Sequence, residues 1–297
     1  MSVLFRQSNT DDSPAACFVD QTADEYHADR SRISRSQLCD FMRGSNLFYR
    51  KHVLQEPLWQ QKSTDAMEFG TVFHAAVLEQ KPIEEMVHVI PEVVLNAEGD
   101  KRGKAWITWK QAHSDKMCVK ERDIFLPRIM WQSVQSSPAA MELLQGPGRN
   151  EQTIHWSFES IACRTRIDRL RDDCIVDLKT ARSCNLNSIN NSLESDGYAI
   201  QAAFYQMAVE AVTGNRLPFK FIFVEKNIPY RTVVVALGSN EQLGVPWIEQ
   251  CRDEVVAALQ RLQRVADQEA WRDPIGDQCI TMNRPSWANY QWQLRGD

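Results

Sequence analysis

The hydrophobic period of this chain switches from helical to alternating and back, and that switch restricts the fold to an α/β class. From Ile33 apolar residues recur at helical spacing. Ser34 and Ser36 can cap there, and Leu38, Phe41 and Met42 follow on one face. Residues 66–80 read as a buried helix with Phe69, Val72, Phe73, Ala76 and Val77 aligned. Residues 101–122 read as a basic helix, and 127–145 as one helix interrupted near Pro138 or as two. At Thr153 the pattern changes. Segments 153–158 and 162–167 alternate, 174–178 is a short apolar run, and the turn signals Glu159–Ser160 and Arg171–Asp173 separate them. The expectation is a three-strand antiparallel meander. A helix over 198–212 follows, with Ile200, Ala203, Phe204, Met207, Ala208 and Ala211 on one face and Gly214 past its end. Strands at 219–224 and 231–237 and an amphipathic helix over 246–267 complete the pattern.

With 297 residues, 43% hydrophobic and 25% charged, the chain can build a full core without disulfide staples. Residues 1–30 are polar, lack apolar periodicity and carry most of the net charge of −5; they read as a flexible acidic tail. Residues 31–297 read as one domain, mainly helical over 31–148 and αβ over 149–297. No run reaches the roughly 18 apolar residues that a membrane helix needs. No basic segment leads into a long apolar run at the N-terminus, and the eight cysteines form no CxxC pair. Reduced thiols and a cytoplasmic location are therefore expected, with no membrane partner. Between Gly99 and Gly103 a phosphate loop would need one more residue, and Ala105 stands where Ser or Thr is required, so no nucleotide cofactor is expected.

The chemistry concentrates in Arg166-Ile167-Asp168 and Ile175-Val176-Asp177-Leu178-Lys179. If these are adjacent antiparallel strands, Asp168 and Asp177 converge at one end of the sheet. Asp177 and Lys179, two residues apart, point to the same face. Two carboxylates and a lysine at a sheet end can hold a hard divalent cation and act on a phosphodiester. The alternative is a set of solvated strand-end charges whose pairs contribute about 0–1 kcal/mol.

Several separate segments agree on a family. They are I-S-R-S-Q-L-C-D-F (33–41) with Tyr49, F-G-T-V-F-H-A-A-V-L-E (69–79), R-G-K-A-W (102–106), E-Q-T-I-H-W (151–156), R-I-D-R-L (166–170), I-V-D-L-K-T-A (175–181), G-Y-A-I-Q-A-A-F-Y (197–205) and F-V-E-K-N-I-P-Y (223–230). Together they resemble the PD-(D/E)xK nuclease superfamily, and within it the RecE-type (exodeoxyribonuclease VIII-like) exonuclease domain of phage-like recombination systems. The resemblance implies a restriction-endonuclease-like core, a central mixed β-sheet flanked by helices, with an N-terminal helical elaboration. It implies that His74, Asp168, Asp177 and the Leu178 carbonyl hold Mg²⁺, for which Mn²⁺ can substitute, and that Lys179 is the catalytic lysine. Gln201 and Tyr205, at i and i+4 on one helix face, would look toward the metal and the DNA phosphate. Glu151 either assists the site or is a solvated strand-edge acid. Some relatives carry an iron–sulfur cluster on four cysteines; Cys251 and Cys279 are isolated here, so no cluster is expected.

The implied activity is 5′-to-3′ degradation of linear double-stranded DNA. Its 3′ single strand would pass to a RecT-like annealing protein, and a homo-oligomeric ring could enclose the DNA. The basic segment 101–122, with Trp106 and Trp109, could track phosphates or be an ordinary solvated helix face. Two other readings fit the same residues: a structure-specific endonuclease or repair nuclease, and a non-catalytic DNA-binding protein on the same fold.

Overall fold

The computed structural model describes residues 16–59, 64–238, 245–272, 279 and 281–283. The meander forms as expected: β4 (Arg149–Phe158), β5 (Ile161–Leu170) and β6 (Ile175–Ala181) are consecutive neighbours in one sheet. β1 (Ala16–Val19) adds to the β4 edge, and β7 (Phe219–Glu225) and β8 (Thr232–Ala236) extend the other side, giving the order β1-β4-β5-β6-β7-β8. Only β6 and β7 run parallel, so the sheet is mixed. Their connection crosses over through α9 (Leu186–Ser195) and α10 (Tyr198–Thr213), as parallel neighbours require.

Before the meander the chain is mainly helical. It runs through α1 (Ala23–Ala28), α2 (Arg35–Arg43), α3 (Ser45–Phe48), α4 (Asp65–Leu78), α5 (Ile83–Met86), β2 (Val87–Ile90), α6 (Lys104–Ala112), β3 (Met117–Lys120), α7 (Phe125–Gln135) and α8 (Pro138–Leu144). The break before Pro138 is the one the sequence signals. Ser137 caps α8, and Pro138 sits in its first turn, where its missing N–H has no helical partner to lose.

Helices cover both faces of the sheet. On one face Leu38 and Phe41 of α2, Phe204 of α10, and Val255 and Leu259 of α11 (Trp247–Gln268) pack with Ile154, Trp156, Cys163 and Ile167. On the other, Phe73 and Val77 of α4, Met130 of α7 and Leu143 of α8 pack on Val176, Leu178, Ile222 and Val224. α10 explains its own burial: alanines at 199, 202, 203 and 208 let it sit close to its neighbours, and most of its residues are buried.

The structure corrects two expectations and adds a helix that the pattern does not show. Residues 16–28 are not tail. Ala16–Val19 pairs antiparallel with 153–156 of β4, and α1 starts with a capping box between Thr22 and Glu25. Residues 1–15 of the predicted tail lie outside the described residues. The basic segment 101–122 is not one helix. It is helical to Ala112, and Met117–Lys120 then pairs in parallel with Val87–Ile90, burying Cys118 and Val119. α9 was not anticipated; its polar sequence hides a stripe of only two buried residues, Ile189 and Leu193. Four-residue strands and narrow stripes are too short for their period to register. Among the described residues no helix is long and apolar enough to cross a membrane.

Phe204 is fully buried and meets Trp156 edge-on at 5.0 Å. Phe204→Ala should therefore lower stability by about 3–5 kcal/mol, read from the urea midpoint at unchanged slope.

Candidate active site

Asp177 and Lys179 lie on one face of β6, and Lys179 Nζ stands 2.6 Å from Asp177 Oδ2. Asp177 is almost fully buried. Its other oxygen, Oδ1, accepts from Gln201 Nε2 at 2.5 Å, and Gln201 Oε1 accepts from Arg35 at 2.8 Å. Lys179 Nζ also sits 4.9 Å above the Tyr198 ring, which Arg35 approaches at 5.7 Å. Tyr198 and Gln201 are three residues apart on α10, so one helix face supplies both. The hydrogen bond of Gln201 is thus to the Asp177 carboxylate. The Tyr205 ring packs against Phe219, with its hydroxyl pushed well above the usual phenol range by burial and, next, by Tyr26 and Asp177. Arg35, one of a basic set with Arg32, Arg43, Arg50 and Lys51 that the sequence offers as a candidate phosphate contact, and Tyr198, which the sequence pattern does not mark, are neighbours of the site. The signal that could find Tyr198 is its place on the Gln201 face.

The β5–β6 ladder is only two pairs long, Arg169 with Val176 and Leu170 with Ile175. Beyond it the Asp168 carboxylate takes the place of a ladder partner, its Oδ2 accepting from the Leu178 N–H at 2.8 Å. β4 and β5 also reverse their faces at this point. Ile154 and Ile167 point toward α10, whereas Asn150 and Arg169 reach the carbonyls of Leu78 and Leu143 on the opposite side. Strict alternation would keep Ile167 and Arg169 on one face. The ladder registers Asn150 with Arg169 and Gln152 with Ile167, skipping Glu151 and Asp168. Glu151 makes the reversal with a φ of 53°, a left-handed conformation costly for a side chain other than glycine.

The reversal aims both skipped carboxylates at α4. Ligand atoms of His74, Glu151 and Asp168 all lie within 4.8 Å of one another, and His74 Nδ1 is 3.4 Å from Asp168 Oδ2. Glu151 is thus inside the cluster and not a solvated edge acid. His74 hydrogen-bonds the Leu178 backbone; burial, and then the charge of Lys179, hold its pKa below the usual imidazole range. A neutral imidazole is the form that ligates metals. Burial and the Asp168 charge raise Glu151. Burial first and the Asp177 charge second push Asp168 up to about 8.

This donor set fits a hard divalent cation. It offers carboxylate oxygens and one imidazole nitrogen. The buried Asp177 Oδ2 has the Lys179 ion pair but no hydrogen-bond donor in bonding geometry. The Glu151 and Asp168 carboxyls are raised by burial first and by a neighbouring carboxylate second. His74, Glu151 and Asp168 would hold the cation, with Asp177 alongside.

The match to known proteins agrees with this geometry. A family model described as a PDDEXK-like domain of unknown function, DUF3799, matches residues 34–283. The chain belongs to that family. The PDDEXK-like domain also resembles, among solved structures, a crystal structure from Eubacterium rectale described as a "Putative exonuclease". The two are 14% identical with a TM-score of 0.58, over 92% of this chain and 98% of the other. At that identity the likeness establishes the fold. No curated protein matches the chain. The fold is thus the PDDEXK-like one, and the central mixed sheet flanked by helices is as the sequence implied.

Asp168 ordinarily titrates near 3.8 and is raised to about 8 here, so folding favours its protonated form. The stability this contributes is complete below the ordinary value and is lost as pH rises toward the folded one. Metal-free Asp168→Asn, which cannot ionise, should melt above the wild type at pH 8.5. The gap should close toward pH 4 in calorimetric scans at the two pH values.

Proposed function

We propose that this PDDEXK-like domain is a divalent-cation-dependent deoxyribonuclease of the RecE type, an exonuclease that hydrolyses phosphodiesters of linear double-stranded DNA. The observation that carries the reading is the gathering of His74, Glu151 and Asp168 within 4.8 Å, beside the Asp177–Lys179 pair. Mg²⁺ is the cation best suited to such oxygen-rich ligands, and Mn²⁺ the natural substitute. When bound, the cation supplies Lewis acidity, polarising the phosphodiester and making water a better nucleophile.

The chain's own residues do the rest. Lys179, only 17% exposed, presents Nζ at the site's edge, where it positions the attacking water and faces the charge that develops on the scissile phosphate. Asp177 fixes that nitrogen through Oδ2, and Gln201, itself held by Arg35, fixes Asp177 through Oδ1. The Tyr198 ring covers the lysine from the other side. Each catalytic atom is thus held from two directions, as positioning within a fraction of an ångström requires. Tyr205 supports α10 in this arrangement through its contact with Phe219.

The 5′-to-3′ polarity, the 3′ single strand left for a RecT-like annealing protein and a ring around the DNA are supported by the sequence resemblance. Duplex labelled at the 5′ or 3′ end and closed circular duplex, incubated with Mg²⁺, Mn²⁺ or EDTA, test the proposal together. Release of the 5′ label with an intact circle is the expected result. Lys179→Ala and Asp177→Ala should each slow release by about a hundredfold or more. Nicking or linearisation of the circle would instead make the enzyme an endonuclease, and bound but uncut DNA in both metals would make the fold non-catalytic.

A further inference from the structure

Arg166 has no place in the ligand set, yet it is the side chain tied most closely to it. It lies on β5 opposite Thr153 of β4, and Thr153 in turn lies opposite Val19 of β1. Its Nε donates to Glu151 Oε2 at 2.8 Å. Its Nη1 donates to the Gln21 carbonyl at 3.0 Å and to Thr153 Oγ1 at 3.2 Å. Arg166 and Glu151 are 16% and 23% exposed, so the pair is poorly screened by solvent. Glu151 is also the residue whose left-handed backbone turns its carboxylate toward His74 and Asp168. Such a conformation persists only where its surroundings dictate it.

We infer that Arg166 is a positioning residue: it anchors Glu151 against the segment following β1 and thereby sets Glu151 in place as a metal ligand. The inference rests on the metal-site reading above. The planar guanidinium is suited to this task because its Nε and Nη1 hydrogens leave in different directions. One reaches the carboxylate while the other reaches the Gln21 carbonyl and Thr153. A lysine has a single nitrogen and can hold only one of those positions well. Outer partners of metal ligands orient them and raise their affinity, and losing one typically weakens metal binding by about 10- to 100-fold. The residues that follow β1, which the sequence assigns to a tail, thus become part of the scaffold of the site.

The test is calorimetric titration of Mn²⁺ into the full-length protein, with the melting temperature of each metal-free variant measured alongside. Arg166→Gln should weaken Mn²⁺ binding by about 10- to 100-fold, and Arg166→Lys by less. Glu151→Gln should lose a similar amount. The double variant Arg166→Gln/Glu151→Gln should bind no worse than Glu151→Gln alone, because residues acting through one another are not additive. A lower melting temperature with unchanged Mn²⁺ affinity would make Arg166 structural only and overturn the inference. Losses that multiply in the double variant would overturn it equally. If Arg166→Gln does not fold, Arg166→Lys and Thr153→Val carry the same comparison. A wild type that binds no Mn²⁺ would sink the metal-site reading along with the inference; a wild type that binds, with Arg166 variants that bind as well, would sink the inference alone.

Discussion

The structure depends on an electrostatic conflict held in place at one point of the sheet. Asp168, Glu151 and Asp177 are brought together by three neighbouring strands, in surroundings that raise the carboxyls of Glu151 and Asp168. Buried like charges repel strongly because the protein interior screens them poorly. A chain that kept these groups for stability alone would have dispersed them. Here the surrounding contacts act the other way. Leu178 donates to Asp168, Arg166 to Glu151, and Gln201 and Lys179 hold Asp177. The cluster is arranged to receive positive charge.

The two-sided packing of the sheet makes this arrangement possible. α4 lies on one face and brings His74; α10 lies on the other and brings Tyr198 and Gln201. Asp177 and Lys179 belong to the α10 side, and the His74 cluster to the α4 side. The face reversal in β4 and β5 lets both sets approach the same end of the sheet. Without it, alternation would send Asn150 and Arg169 into the α10 core and leave their partners on α8 and α4 unmet. The reversal costs a left-handed residue, on the order of 1–3 kcal/mol, and it falls where the ligands gather. The same reversal thus serves the packing of Asn150 and Arg169 and the gathering of Glu151 and Asp168 beside His74.

Much of this was legible before any coordinates. Alternation over 153–158 and 162–167 located the meander, and helical spacing over 198–212 located α10. The two-residue spacing of Asp177 and Lys179 put them on one face, since side chains in a strand alternate. Residues 16–28 do not show as structure in the sequence, because β1 is four residues long and takes its hydrogen bonds from β4 rather than from any local pattern. The basic stretch hides its strand for a similar reason: β3 is four residues long and its ladder partner is β2. For Glu151 the sequence permits two readings, because its side-chain direction depends on the reversal of its own strand.

The sequence by itself determined the meander, α10 and the strands and helix after it, the family pattern and the residue types able to bind a hard cation, because these depend on local periodicity and on side-chain chemistry. The tertiary structure decided which of them meet. His74 reaches Glu151 and Asp168 because a helix early in the chain packs over strands formed much later, and because those strands kink where they pass beneath it. Arg35 reaches Gln201, and Arg166 reaches the Gln21 carbonyl, by contacts equally remote along the chain. Periodicity carries information over a few residues only; the meeting of distant side chains is set by how the layers close on one another and by a single left-handed residue in the middle of a sheet.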